Sequence, residues 1–83
     1  MVTVRFFASI KEKVGLESID IPVNGPASIR DILNRVADET SVDKAILMPG
    51  GFLYALNQQM ESLDTPVNDG DEIAVLPPLS GGF

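Results

Sequence analysis

Residues 29–37 carry the helical period of this chain; most of its other apolar segments alternate with period two. Ile29, Ile32, Leu33, Val36 and Ala37 fall at i, i+3, i+4, i+7 and i+8 and make one stripe. Ser28 and Asp31 are placed to cap the start of that helix, and Asp38, Glu39 and Thr40 end its apolar pattern. An amphipathic helix has one face to bury. In a chain of 83 residues, near the small end of what folds alone, that face must be covered by a sheet built from the remaining segments.

Those segments read as strands. Val2, Val4 and Phe6 face one way and Thr3, Arg5 and Phe7 the other, which leaves Phe7 as a large apolar residue on the nominally exposed side. "ASIKEKVG" predicts a short helix, with Ser9 and Glu12 as a capping box and Gly15 as its stop. "ESIDIPV" turns Ile19, Ile21 and Val23 to one face, and Pro22, which has no N–H to donate, assigns it to a sheet edge, antiparallel to the first strand. Ser41 to Leu47 predicts a second helical turn. "FLYALN" alternates Phe52, Tyr54 and Leu56 against Leu53, Ala55 and Asn57; "QQMESLDTP" carries a short strand. Asn68, Asp69 and Gly70 make a turn before a strand with Ile73 and Val75 inward. The order is β, short α, β, α, then two or three strands. It predicts a two-layer α+β domain, and with a right-handed crossover the ubiquitin-like β-grasp roll. The domain is expected to span residues 1–78, followed by a flexible Gly-Gly tail at 79–83.

Composition narrows the chemistry. The chain has no Cys and no His, which removes the thiolate nucleophile, the commonest metal ligand and the usual general base at neutral pH. Its net charge of −6 repels phosphate backbones, so no nucleic-acid partner is expected. No apolar run approaches the roughly 20 residues of a membrane span, and no secretory signal pattern is visible. A cytoplasmic protein with no membrane partner is expected.

Four places invite a functional reading. Asp69, Asp71 and Glu72 lack the spacing of a calcium loop and read as a solvated hairpin turn. "MPGG" precedes a strand, whereas phosphate-cradling loops follow a strand and open a helix, so it reads as a plain turn. In the predicted roll the first and last strands are neighbours. Phe7 then shares the outer face with Ala74 and Leu76, extended by Leu53 and Ala55, as a partner-binding patch unless the chain's own loops cover it. Lastly, Pro77 and Pro78 force an extended exit, and Ser80, Gly81 and Gly82 have almost no side-chain volume. Such a tail fits a channel that side chains would block; the plain alternative is a frayed terminus.

"VRFFASIKEKVG", "ALNQ" and "VNDGDEIAVLPPLSGG" together resemble, over essentially the whole chain, the MoaD/ThiS family of ubiquitin-like sulfur carriers. "FFA…VG" and "PPLSGG" resemble its molybdopterin synthase small-subunit branch most. The resemblance implies a carrier rather than an enzyme. It binds no cofactor itself; ATP is used by an E1-like adenylyltransferase of the MoeB/ThiF type, which activates the carboxylate of Gly82. Sulfur then leaves a thiocarboxylate, which a large synthase subunit (MoaE-like) or another acceptor enzyme takes up. Gly81 gives slenderness, and Phe7, Leu76, Pro78 and Leu79 dock the partner.

The chain departs from the family pattern in continuing past Gly82 to Phe83, whose ring does not suit a glycine-gauge channel. A peptidase that removes Phe83 is therefore expected. Two rival functions stay open: a ubiquitin-like modifier that forms isopeptide bonds through Gly82, and an interaction domain that docks and never reacts. Thiamin synthesis and tRNA thiolation use similar carriers.

Overall fold

The computed structural model describes residues 1–77. In chain order the elements are β1 (Val2–Phe6), α1 (Ala8–Val14), β2 (Ser18–Ile21), β3 (Ala27–Ser28), α2 (Ile29–Thr40), α3 (Lys44–Leu47), β4 (Leu53–Leu56), β5 (Gln59–Glu61), β6 (Pro66–Val67) and β7 (Glu72–Leu76). Five of the strands form one mixed sheet in the order β2-β1-β7-β4-β5. The first and last strands, β1 and β7, pair in parallel at its centre. β2 lies antiparallel to β1, β4 antiparallel to β7, and β5 antiparallel to β4. α2 covers one face, and the result is the expected α+β, ubiquitin-like β-grasp.

The core forms where the helical stripe meets the alternating strands. Ile29, Ile32, Leu33, Val36 and Ala37 are all buried, against Val2, Val4, Phe6, Ile21, Tyr54, Ile73 and Val75 of the sheet. Each fully buried Ile or Leu contributes roughly 1.5–3 kcal/mol. Tyr54 is the polar member. Its hydroxyl donates to the Leu47 carbonyl at 3.2 Å, and burial raises its pKa above the ordinary value. The helix starts where expected: Ser28 Oγ accepts from the Asp31 N–H at 3.2 Å, and the Asp31 carboxylate accepts from the Ser28 N–H at 2.9 Å. β2 is an edge strand that stops at Ile21, one residue before Pro22. The Pro22 carbonyl accepts instead from the Arg35 guanidinium of α2.

Three expectations need correction. Four strands, β4 to β7, follow α2 instead of two or three, and the two-residue β3 precedes it; β3 and β6 are too short to show an alternation in sequence. Ser9 and Glu12 do not form a capping box: α1 begins at Ala8, its N-cap is the extended Phe7, and no side chain caps it. Ser9 therefore lies inside the first turn, and the burial of Ile10 holds the short helix in place. Nor is Asn68–Gly70 a hairpin turn. Both sides of β7 are taken, by β1 and β4, so β6 pairs with β3 in a separate two-stranded ribbon at the start of α2. The turn connects strands of different sheets. It is closed by the Asp71 N–H donating to the Asn68 carbonyl at 3.0 Å, with Gly70 at φ +92°.

Candidate functional site

Strand alternation decides which residues reach the sheet face away from α2. Two rows of register partners cross it. One is Arg5–Ala74–Ala55–Met60; the next brings Leu76 beside Leu53. Phe7 follows the Phe6–Val75 pair and so stands at the level of Leu76. The patch expected of Phe7, Ala74, Leu76, Leu53 and Ala55 therefore exists, at the end of β7 from which the chain runs on to Pro77. Its rim is exposed, with Phe7 at 39% and Leu53 at 50%; Ala74 and Leu76 are half-buried, and Ala55 is buried at 6%.

Sequence reading missed Met60, which is 61% exposed at the far end of the first row. Asn57 and Gln58 have φ values of +51° and +72°, a two-residue hairpin turn, and that turn length fixes Ala55 opposite Met60. Arg5 was also passed over. Its guanidinium stands 6.0 Å from the Phe7 ring centroid and 3.7 Å from the Glu72 carboxylate.

Phe7 is held by its neighbours. The Phe6 N–H donates to the Glu17 carbonyl at 2.9 Å, and the Phe7 carbonyl accepts from the Ile10 N–H at 3.1 Å. Ala8, immediately after it, has φ +51°, in the left-handed region that a Cβ disfavours. The strand-to-helix turn thus places strain directly beside the exposed ring.

The opposite end of β7 is polar and structural. Asp71 accepts from the Asn57 side-chain amide at 3.0 Å and from the Asn68 N–H at 2.7 Å. The amide first and the backbone N–H second hold its carboxyl below the ordinary aspartate value. Asp69 pairs with the N-terminal amine and Glu72 with Arg5. Among the described residues no group of three His, Cys, Asp or Glu side chains is arranged to hold a metal, and no helix is long and apolar enough to cross a membrane. Gly50 and Gly51 lie in a turn before β4, as expected. The face offers apolar contact area and one loose ion pair rather than a reacting group. Pro78, Leu79, Gly81, Gly82 and Phe83, together with the expected domain boundary after residue 78, lie outside the described residues.

Comparisons with known proteins match this architecture. A sequence model of the ThiS family matches residues 4–82. The chain is 34% identical over 82 residues to the molybdopterin synthase sulfur carrier subunit of Escherichia coli K12, covering 99% of this chain and 100% of that one. It is 34% identical to a chain in the solved complex of subunits 1 and 2 of the molybdopterin-converting factor from Helicobacter pylori 26695, with a TM-score of 0.63 over 98% of this chain and 97% of that one. The solution structure of small archaeal modifier protein 1 from Methanosarcina acetivorans superposes with a TM-score of 0.78 at 28% identity, over 98% of this chain and 95% of that one.

Proposed function

This chain belongs to the ThiS family, and from that premise we propose that it is a sulfur carrier whose reactive group is the carboxyl of Gly82. It works as a small subunit with partner proteins rather than as a free-standing catalyst. The observation that carries the reading is full-length similarity to a molybdopterin synthase sulfur carrier subunit, with the family match ending at residue 82.

Gly82 must first become the chain's end, so Phe83 is removed by a peptidase. A partner adenylyltransferase then supplies ATP. A Gly82 carboxylate oxygen attacks the α-phosphorus, pyrophosphate leaves, and the acyl-adenylate forms. Sulfide attacks the acyl carbon and AMP departs with the bonding electrons, leaving a thiocarboxylate. The activation is needed because a carboxylate oxygen is a poor leaving group. The absence of His and Cys is no handicap to such a chain, since its partners supply the acid–base groups. The acceptor is a synthase subunit of molybdenum or tungsten cofactor synthesis. Phe7, Leu76, Leu53 and Met60 are its docking surface, with Pro78 and Leu79 leading Gly81 and Gly82 into its site. An apolar, exposed face at the root of the tail supports this docking.

A modifier reading shares the activated Gly82 and is favoured by the likeness to small archaeal modifier protein 1. The test is the intact mass of the protein from its native cell. The expected result is a species lacking Phe83, part of it carrying sulfur in place of one terminal oxygen. A mass that always retains Phe83 overturns both readings; a truncated chain found only in larger isopeptide conjugates selects the modifier.

A further inference from the structure

We propose that Arg5 is a specificity-determining residue of the docking face, and that it selects a partner surface bearing a carboxylate opposite it. This rests on the reading that a partner enzyme covers Phe7, Leu53, Leu76 and Met60.

Arg5 lies in the row Ser18–Arg5–Ala74–Ala55–Met60, between Ser18 of the edge strand and Ala74, and borders Phe7, so a partner that covers Phe7 and the rest of that row also covers Arg5. A guanidinium has five N–H donors and no acceptor. Glu72 is the carboxylate in ion-pair range of Arg5 within the described chain, at 3.7 Å, too far for a hydrogen bond; Glu17 also feels the Arg5 charge, but its carboxylate is taken by Lys11 at 3.0 Å. Both side chains stand largely in water, at 53% and 40% exposure, and water satisfies those donors in the free protein. Docking strips that water away. Glu72 and the face of the Phe7 ring remain on this side, and neither meets the donors with hydrogen-bond geometry.

A buried guanidinium without acceptors opposes binding. The apolar contacts are therefore realised in full only against a surface that supplies the acceptors. A carboxylate does so with two oxygens matched to the guanidinium fork, whereas a cation at that place is rejected. Arginine suits the role better than lysine because its planar fork matches both oxygens of a carboxylate and its charge stands within 6.0 Å of the Phe7 ring centroid. The apolar face gives contact area, and Arg5 decides which apolar partner is accepted.

The test is calorimetric binding of the full chain to the purified second synthase subunit of the same organism, at low and high salt. The unsubstituted chain is compared with Arg5→Leu, Arg5→Lys and Phe7→Asp. Both Arg5 replacements keep an aliphatic stem on an exposed strand position, and all variants are measured below their melting temperatures. Arg5→Leu is expected to weaken binding about tenfold or more, because it leaves the partner's carboxylate unpaired, and to flatten the salt dependence. Arg5→Lys should lose less. If Arg5→Leu binds as tightly as the unsubstituted chain or more tightly, while Phe7→Asp is weakened, the inference about Arg5 is overturned and the docking reading stands. If Phe7→Asp binds as tightly as the unsubstituted chain, or the unsubstituted chain itself does not bind, the docking reading fails and the role of Arg5 fails with it.

Discussion

Replacing Ser28 with alanine should destabilise the domain without disturbing its docking face. Ser28 and Asp31 exchange two hydrogen bonds at the start of α2, of 3.2 and 2.9 Å. Ser28→Ala removes the first, and N-cap losses of this kind cost about 1 kcal/mol. For a domain of this size that is a fall in melting temperature of about 4–8 °C. Asp31→Ala removes the reciprocal bond and a negative charge near the helix N-terminus, a further effect of about 0.3–1 kcal/mol from the charge alone. If the two residues act as one box, the double variant should lose less than the sum, by about 0.5 kcal/mol or more. Thermal melts followed by circular dichroism at pH 7 would read all four proteins. The box lies beside β6 in the two-stranded ribbon, whereas Phe7 stands at the level of Leu76 in the five-stranded sheet. Partner affinity well below the melting temperature should therefore not change. A Ser28→Ala protein that melts within about 1 °C of the unsubstituted chain would falsify the assignment of helix initiation to this box.

Leu33 is fully buried in the α2 stripe, so Leu33→Ala should cost about 2–5 kcal/mol in urea unfolding; that is much of the roughly 5–15 kcal/mol a domain has, and a loss under about 1 kcal/mol would contradict the packing described. The Asp71 carboxyl titrates below its ordinary 3.8 in the fold, so its contribution is present above that value and is lost as pH falls through the lower folded value. The gap in urea midpoint between the unsubstituted chain and Asp71→Asn should hold from neutral pH to about pH 5 and close in more acid solution; a gap that persists unchanged to about pH 2 would refute the role of the Asp71 hydrogen bonds to Asn57 and Asn68. Gln58 holds φ +72° in the β4–β5 turn, and Gln58→Gly should raise the melting midpoint by the equivalent of about 0.5 kcal/mol, the steric relief outweighing glycine's entropy. A lower midpoint would show that the turn is not strained there.

The fold was legible because its two periodicities do not overlap. The i, i+3, i+4 stripe of α2 and the alternation of Val2, Val4 and Phe6 each assign one buried face, and the structure buries all of those residues. Pro22 marked an edge and Gly15 a stop for local steric reasons that tertiary packing leaves intact. The failures were of another kind. A Ser9–Glu12 spacing fits a capping box wherever it occurs, but the helix start was set by the turn out of β1. The turn at Asn68 to Gly70 was read correctly as a turn and wrongly as a hairpin, because only the occupancy of both sides of β7 decides what β6 can pair with. Of the proposed docking face, Phe7, Leu76, Leu53 and Ala55 followed from alternation. Met60 needed the hairpin register, and Arg5 needed its distances to two partners from different parts of the chain.

The parallel pairing of β1 with β7 also has a mechanical side. The last described residues leave the sheet from its middle strand, gripped by β1 on one side and β4 on the other. A partner that pulls on the segment beyond Pro77 therefore draws along the axis of β7. The load falls on both ladders in shear, where the hydrogen bonds resist together instead of opening one at a time from an edge. It passes through β1 and β4 to the strands outside them. A domain gripped this way resists a pull at Pro77 through two ladders at once.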